Sequence, residues 1–106
     1  SPRRGSFFFI GALFVALDLP PDPPFAADHC GTCTRCMDAC PTDAFAAPRV
    51  LDANRCVSYL TIEHRSDIPA AFHDAMREQV YGCDICQDVC PWNIKFAVAL
   101  TEPAFA

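Results

Sequence analysis

Eight cysteines in 106 residues dominate the chemistry this chain could perform. Cys30, Cys33, Cys36 and Cys40 stand in the order C-x2-C-x2-C-x3-C, and Pro41 follows the last. Fifty residues on, "CDICQDVCPW" repeats "CTRCMDACPT" with three cysteines, one aspartate and the proline in register. The first pattern is the bacterial-type arrangement for a cubane iron–sulfur cluster. Two-residue gaps let a tight loop curl around a cluster and offer three thiolates to three irons. The three-residue gap carries the fourth cysteine onto a helix leading away, where it ligates a second cluster. That logic requires a reciprocal set. Cys83, Cys86 and Cys90 reproduce its last three members, and Cys56 is the displaced first, with 26 residues between it and Cys83. Crossing the sets puts Cys30, Cys33, Cys36 and Cys90 on one 4Fe–4S cluster and Cys40, Cys56, Cys83 and Cys86 on the other.

Two other uses of the thiols compete with this one. Zinc takes four cysteines from paired C-x2-C units, but it needs no third cysteine two residues on and no Cys-Pro terminator. Disulfides suit an even count in a small secreted domain, yet cysteines two apart in a curled loop are badly placed to pair with each other. Protein-bound cubanes move single electrons at potentials set by charge, N–H···S hydrogen bonds and exposure. Asp38, Asp43, Asp84 and Asp88 lie close to ligands in sequence. Their negative charge favours the oxidised state, so strongly reducing clusters are expected; a solvated helix face is the plainer role for Asp38 and Asp88.

The elements that must position these thiols are short. Residues 34–40 make about two helical turns ended by Pro41, whose ring and missing N–H forbid continuation. Asp52 is placed as an N-cap for a helix through "DANRCVSYLTIEHR", with Cys56 in its first turns. Ser66 or Asp67 ahead of Pro69 opens another, with Phe72 and Met76 four apart on its apolar side, broken at Tyr81-Gly82. A last short helix near residues 84–90 stops at Pro91. Residues 6–19, rich in Phe, Val and Leu around Gly11, suit a buried strand or a strand pair bent at a bulge, with a short buried helix as the alternative. Four prolines between residues 20 and 24 make an extended connector.

A chain of this size is marginal without a staple. Its formal charge of −5 argues against nucleic-acid binding by this segment alone. Two arginines before an apolar run imitate a signal peptide, but Asp18 and the prolines replace a cleavage site, and the run is too short to span a bilayer. The absence of an initiator Met and the unpartnered apolar start suggest a fragment. His29, His64 and His73 have neither zinc-ligand nor catalytic-base spacing, and no phosphate loop, dinucleotide fingerprint or nucleophile elbow is present. From the residues alone, an electron relay is the end of the inference.

Several strings extend it. "GSFFFIG", "DHCGTCTRCMDACPTDAF", "RCVSYLTIEHR", Ile68-Pro69 and "YGCDICQDVCPWN" together resemble the epoxyqueuosine reductase family, from about Gly5 to Ala97. Ordinary ferredoxins carry neither "SYLTIE" nor the displaced fifth cysteine. The resemblance implies an oxidoreductase, cytoplasmic, in which two 4Fe–4S clusters feed electrons from an external donor to cobalamin. The reduced cobalt deoxygenates the epoxide on a tRNA base, completing queuosine. It implies an α+β fold of short helices around two clusters, a ferredoxin-type module, with an N-terminal β segment. Residues 1–19 would then end a truncated cobalamin-binding domain, which supplies the proton donor and most of the corrin site. Residues 20–29 would be a connector, residues 30–97 the two-cluster domain, and residues 98–106 the start of a downstream helical region. Catalytic residues are accordingly expected outside this segment, and no membrane partner is implied.

The resemblance matches the eight cysteines to ligands and sets Ser58 and Asp84 on the cobalamin side of the second cluster; helix capping or simple exposure would equally account for those two. His64 and Arg65 could face tRNA. Ala12 stands where the family commonly has an acidic residue, which bears on cofactor contacts, and Ile94 departs harmlessly. A stand-alone two-cluster ferredoxin, or the iron–sulfur module of another reductase such as a reductive dehalogenase, is the alternative function.

Overall fold

The computed structural model describes residues 4–99 and 101. Five short α-helices and one hairpin follow in chain order: α1 (Arg35–Asp38), β1 (Phe45–Ala47), β2 (Val50–Leu51), α2 (Val57–Ile62), α3 (His73–Met76), α4 (Ile85–Asp88) and α5 (Pro91–Phe96). Single 3-10 turns at Ala53–Arg55 and Ala70–Phe72 lead into α2 and α3. Helices α1 and α4, one from each cysteine repeat, pack against each other. The fold is thus a small mixed arrangement of helix and strand, with helices predominating.

Its apolar core is slight. Val57 and Leu60, one turn apart on α2, meet Met76 from α3, with Tyr59, Ile68, Phe72 and Cys83 packed around them. Burying side chains of this size stabilises by about 1.5–3 kcal/mol each, while ordering the backbone costs about 1–2 kcal/mol per residue. A few such side chains cannot order a chain this long, so a staple beyond apolar burial is needed.

Local reasons fix most boundaries. The Asp52 side chain accepts from the Asn54 amide at 3.1 Å, as a cap should, but the turn it starts ends at Cys56 in extended conformation. The continuous helix expected from residue 52 is therefore two pieces, and Cys56 caps α2 instead of lying within it. α3 ends at Met76, not at Tyr81-Gly82: Arg77 takes φ 51°, and beyond Met76 the side chains of Arg77, Glu78 and Val80 are exposed with no core to join. Pro91 ends the α4 segment as expected, yet it also opens α5 from the N1 position, where its fixed φ and absent N–H cost nothing.

Two further differences concern strands. β1 and β2 pair antiparallel, Phe45 with Leu51 and Ala47 with Val50, around Pro48-Arg49, with Arg49 at φ 65°; no periodicity in so short a hairpin announces it. Residues 6–19, expected as a buried strand, form neither strand nor helix, and Phe9, Ile10, Leu13 and Phe14 are each at least 87% exposed. A strand needs a neighbour for its amides and carbonyls, and the described residues offer this one none. The projecting segment helps raise the radius of gyration to 16.7 Å, against about 13 Å for a compact domain of 100 residues. The downstream helical region expected at residues 98–106 falls mostly outside the described residues.

One contact ties the N-terminal segment to the helices. Asn93 on α5 is 2% exposed; its Oδ1 accepts from the Ser6 amide at 2.7 Å, and its Nδ2 donates at 2.9 Å to both the backbone carbonyl and Oε1 of Gln87. Gly5 sits against it at φ +68°, where an added Cβ would stand 2.3 Å from Asn93 Oδ1. That oxygen accepts from the Ser6 amide and hydroxyl while Nδ2 of the same side chain is tied to Gln87, so it cannot yield cheaply. Gly5→Ala should therefore destabilise the protein by about 1–3 kcal/mol through strain and overpacking, read as a lowered thermal midpoint of the cluster-loaded protein, with Ser6→Gly milder because it keeps the amide.

Candidate metal centre

The two cysteine repeats fold alike to within their hydrogen bonds. In the first, Met37 and Asp38 donate to the Thr34 carbonyl at 2.8 and 3.0 Å, Ala39 to Arg35 at 3.1 Å and Cys40 to Met37 at 3.2 Å. In the second, Gln87 and Asp88 donate to Asp84 at 2.8 Å each, Val89 to Ile85 at 3.1 Å and Cys90 to Gln87 at 3.3 Å. Each helix is a single turn between two cysteines, and each terminal cysteine leaves the turn just before its proline. The equal geometry places Cys36 and Cys86 within the helices and throws Cys40 and Cys90 past their ends.

Where the thrown sulfurs land is the central observation. Cys90 lines a cavity of about 670 Å³ together with Cys30, Cys33 and Cys36, and with His29 and Trp92 at its wall. Three of those cysteines belong to the first repeat and one to the second. On the other side, burial pushes the Cys86 thiol up from its usual range, and charge at Cys83, Cys56, Cys36 and Cys40 pushes it the same way. Cys86 therefore lies within electrostatic reach of cysteines from both repeats and from the head of α2.

Hydrogen bonds explain how distant segments converge on the second group. Ser58 on α2 both accepts from the Cys83 amide at 3.0 Å and donates to the Cys83 carbonyl at 3.2 Å. Thr61, one turn on, accepts from the Gly82 amide at 2.9 Å while donating to the Val57 carbonyl at 2.8 Å. Gly82, at φ 72°, turns the chain to lie along α2. Arg55, the residue before Cys56, donates through Nε and Nη2 to the Thr42 carbonyl at 3.2 and 2.9 Å. Cys40 itself accepts at Sγ from the Ala44 amide at 3.3 Å, with the Thr42 hydroxyl 3.8 Å away. So Ser58 holds Cys83 to α2, and Arg55 holds the turn after Cys40 to the head of the same helix.

The first group has its own supports. The Cys33 amide donates to the Cys30 carbonyl at 3.0 Å, closing the loop, and the Cys30 amide donates to Asp28 Oδ1 at 2.9 Å. That amide, and Arg49 paired with Oδ2 of the same carboxylate, hold Asp28 below the usual carboxylate range. His29 stacks on Trp92 with centroids 4.5 Å apart and planes 17° from parallel, and Trp92 in turn meets Phe96 at 4.6 Å. The aromatic wall thus joins the residue before Cys30 to the helix after Cys90.

None of the eight cysteines is in a disulfide. Zinc would need four ligands gathered at about 2.0–2.3 Å from one point, and among the described residues no three His, Cys, Asp or Glu side chains are gathered to hold a single ion. Four irons at the corners of a cube spread their thiolates more widely, which suits a sulfur-lined cavity. The donor set therefore fits iron–sulfur clusters.

Residues 29–93 match the model of the 4Fe-4S double cluster binding domain. The chain belongs to that double-cluster family. It is 52% identical over 97% of its length to the epoxyqueuosine reductase of Cellulophaga algicola, covering 33% of that protein. It superposes on the epoxyqueuosine reductase structure from Bacillus subtilis with a TM-score of 0.67 and 44% identity, over 76% of this chain and 21% of that one. A crystal structure of epoxyqueuosine reductase with an epoxyqueuosine-modified tRNA-Tyr stem loop matches equally, at TM-score 0.67, 44% identity and the same coverages. The chain spans about a third of the length of the curated relatives it matches. The expected resemblance to the central iron–sulfur portion of these reductases holds, and a free ferredoxin or a dehalogenase module is not favoured. No helix among the described residues is long and apolar enough to cross a membrane.

The other residues singled out by sequence have plainer surroundings. His64 Nε2 lies 2.9 Å from Ser66 Oγ and 3.3 Å from the Asp67 carbonyl, and His73 Nε2 lies 2.9 Å from the Ile68 carbonyl, so both rings close local turns. Asp38 accepts from the Thr34 hydroxyl at 2.8 Å. Asp84 precedes α4, is exposed and caps nothing with its side chain. Sequence reasoning did not single out Thr42, Arg55 or Asn93, since their partners are far along the chain and no local pattern marks them. Because the Cys83 amide would lose its acceptor, Ser58→Ala should cost about 1–3 kcal/mol and speed cluster loss under chelator challenge, followed as decay of the visible absorbance.

Proposed function

We propose that this chain is the electron-relay module of an epoxyqueuosine reductase, passing electrons through two 4Fe–4S clusters to cobalamin for conversion of epoxyqueuosine to queuosine in tRNA. Cys30, Cys33, Cys36 and Cys90 hold one cluster; Cys40, Cys56, Cys83 and Cys86 hold the other. The observation that carries the ligand reading is the cavity in which Cys90 joins three cysteines of the opposite repeat. The likeness to the reductases over nearly the whole chain supports the activity.

Bound here, the clusters supply one-electron transfer, and cobalamin the reduced cobalt that removes the epoxide oxygen. The chain's own residues do the rest. The thiolates fix both positions, and the α1–α4 contact sets the distance between them. The stacked rings of Trp92 and His29 form one side of the first site. Ser58 and Asp84 stand on the cobalamin side of the second cluster: Ser58 keeps Cys83 at the surface of α2, and Asp84 offers a free carboxylate beside it. On this reading residues 1–19 belong to the end of the cobalamin-binding domain, 20–29 connect it and 30–97 form the two-cluster domain, while residues 98–106 lie mostly outside the described residues. The partners are tRNA carrying epoxyqueuosine and an external electron donor, and a tRNA-modifying reductase of this kind works in the cytoplasm.

Paired cysteine variants of the full-length protein test the crossing. Cys40→Ala and Cys83→Ala should each lose half the iron and sulfide, and together still only half. Cys40→Ala with Cys33→Ala should lose all of it. The opposite pattern would assign each repeat its own cluster. Reductive turnover of an epoxyqueuosine-modified stem loop, with free cobalamin supplied, checks the activity; a protein that loads both clusters and never reduces the epoxide is a relay for another reaction.

A further inference from the structure

The two repeats match up to their prolines and then diverge. Four residues after Cys90, the Ile94 amide donates to the Cys90 carbonyl at 3.0 Å, the ordinary bond of helix α5. Four residues after Cys40, the corresponding Ala44 amide donates to the Cys40 sulfur at 3.3 Å. Asp43 makes the difference: at φ 48° it turns the chain back on itself, a conformation uncommon for a residue with a side chain. The Thr42 hydroxyl stands 3.8 Å from the same sulfur, and a metal-bound thiolate can only accept, so the hydroxyl donates. Among the described residues no donor reaches Cys90 Sγ in this way. Thr42 and Ala44 are 4% and 1% exposed, and Arg55 grips the Thr42 carbonyl with two N–H groups. The two donors of this turn are thus buried and braced, although Asp43 at its tip is exposed.

We infer that the 41–44 turn tunes one cluster and not the other: the Ala44 amide and the Thr42 hydroxyl, donating to Cys40, raise the reduction potential of the cluster that Cys40 ligates. The inference rests on the ligand reading above. Reduction adds one electron, hence one negative charge, to the cluster and its thiolates. A donor to sulfur stabilises that added charge, and the effect is larger where water is excluded. Acidic neighbours such as Asp43 act the other way. Arg55 is a positioning residue here, since its hold on the Thr42 carbonyl fixes the loop that aims both donors.

The test is a dithionite titration of the full-length, cluster-loaded protein followed by electron paramagnetic resonance, which resolves two midpoint potentials. Thr42→Val, nearly isosteric, should lower one midpoint and leave the other in place; Thr42→Ser should restore it. Ala44→Pro, which removes the amide hydrogen, should lower the same midpoint further. Unmoved midpoints, or two that fall together, would overturn the inference, as would a Thr42→Val protein that loses iron instead of shifting. The iron content of Cys40→Ala separates the two levels: loss of half the iron with no Thr42 effect removes the tuning alone, whereas full iron in Cys40→Ala removes the ligand reading beneath it.

Discussion

A sulfur placed four residues beyond a C-x2-C pair, just before a proline, leaves the single helical turn that the pair begins. In this chain both such sulfurs follow a single helical turn, and the same four backbone hydrogen bonds precede each. Since α1 and α4 pack together, the exit of one repeat faces the loop of the other. Much else follows from that reciprocity. The helices need only be one turn long, since their task is to aim cysteines. The apolar core can stay small, because segments far apart in sequence share sulfur-lined sites. A metal cluster bound across such segments contributes its binding free energy directly to folding.

The polar contacts then read as supports for the exits. Ser58 and Thr61 bind the Gly82-Cys83 backbone to α2, Arg55 binds the turn after Cys40, and Asn93 binds the segment before residue 7. Each reaches a backbone group many residues away, and all but the exposed Arg55 are buried or half-buried. Cutting one would leave a desolvated amide or carbonyl unpaired, which costs more than the bond itself contributes. Such contacts are directional and fix particular atoms, where apolar packing is non-directional. For electron transfer, position is what the protein has to supply.

How much of this was legible in the sequence depended on the kind of signal. Cysteine spacing, Cys-Pro exits and the Asp52 cap are local, so the places of the two cysteine helices could be read directly, although the two turns expected over residues 34–40 shrink to one, Arg35–Asp38. The Arg77 turn and the Pro48-Arg49 hairpin could not, because both put residues other than glycine at positive φ and no composition cue marks them. The helix predicted through Cys56 rested on the Asp52 cap and the spacing of apolar residues, but Cys56 is extended, which leaves it between two short helices. The apolar run at residues 6–19 was read as a strand on β propensity alone. Propensity says what a segment can pair as, and here nothing among the described residues pairs with it.

Thr42 shows why the site outran the motif. The pattern C-x2-C-x2-C-x3-C-P treats everything after the proline as equivalent, yet the two chains that follow spend the same amide differently. After Pro91, "WNIKF" continues as a helix, and the fourth amide satisfies a carbonyl. After Pro41, "TDAF" is drawn toward the hairpin, whose first strand begins at Phe45; the Asp52 amide donates to the Ala44 carbonyl at 2.8 Å and fixes that course. The Ala44 amide is left facing sulfur. The hairpin, which carries no cysteine, therefore decides the electrostatic surroundings of one. A duplicated cysteine motif thus acquires unequal surroundings through the backbone that follows each copy.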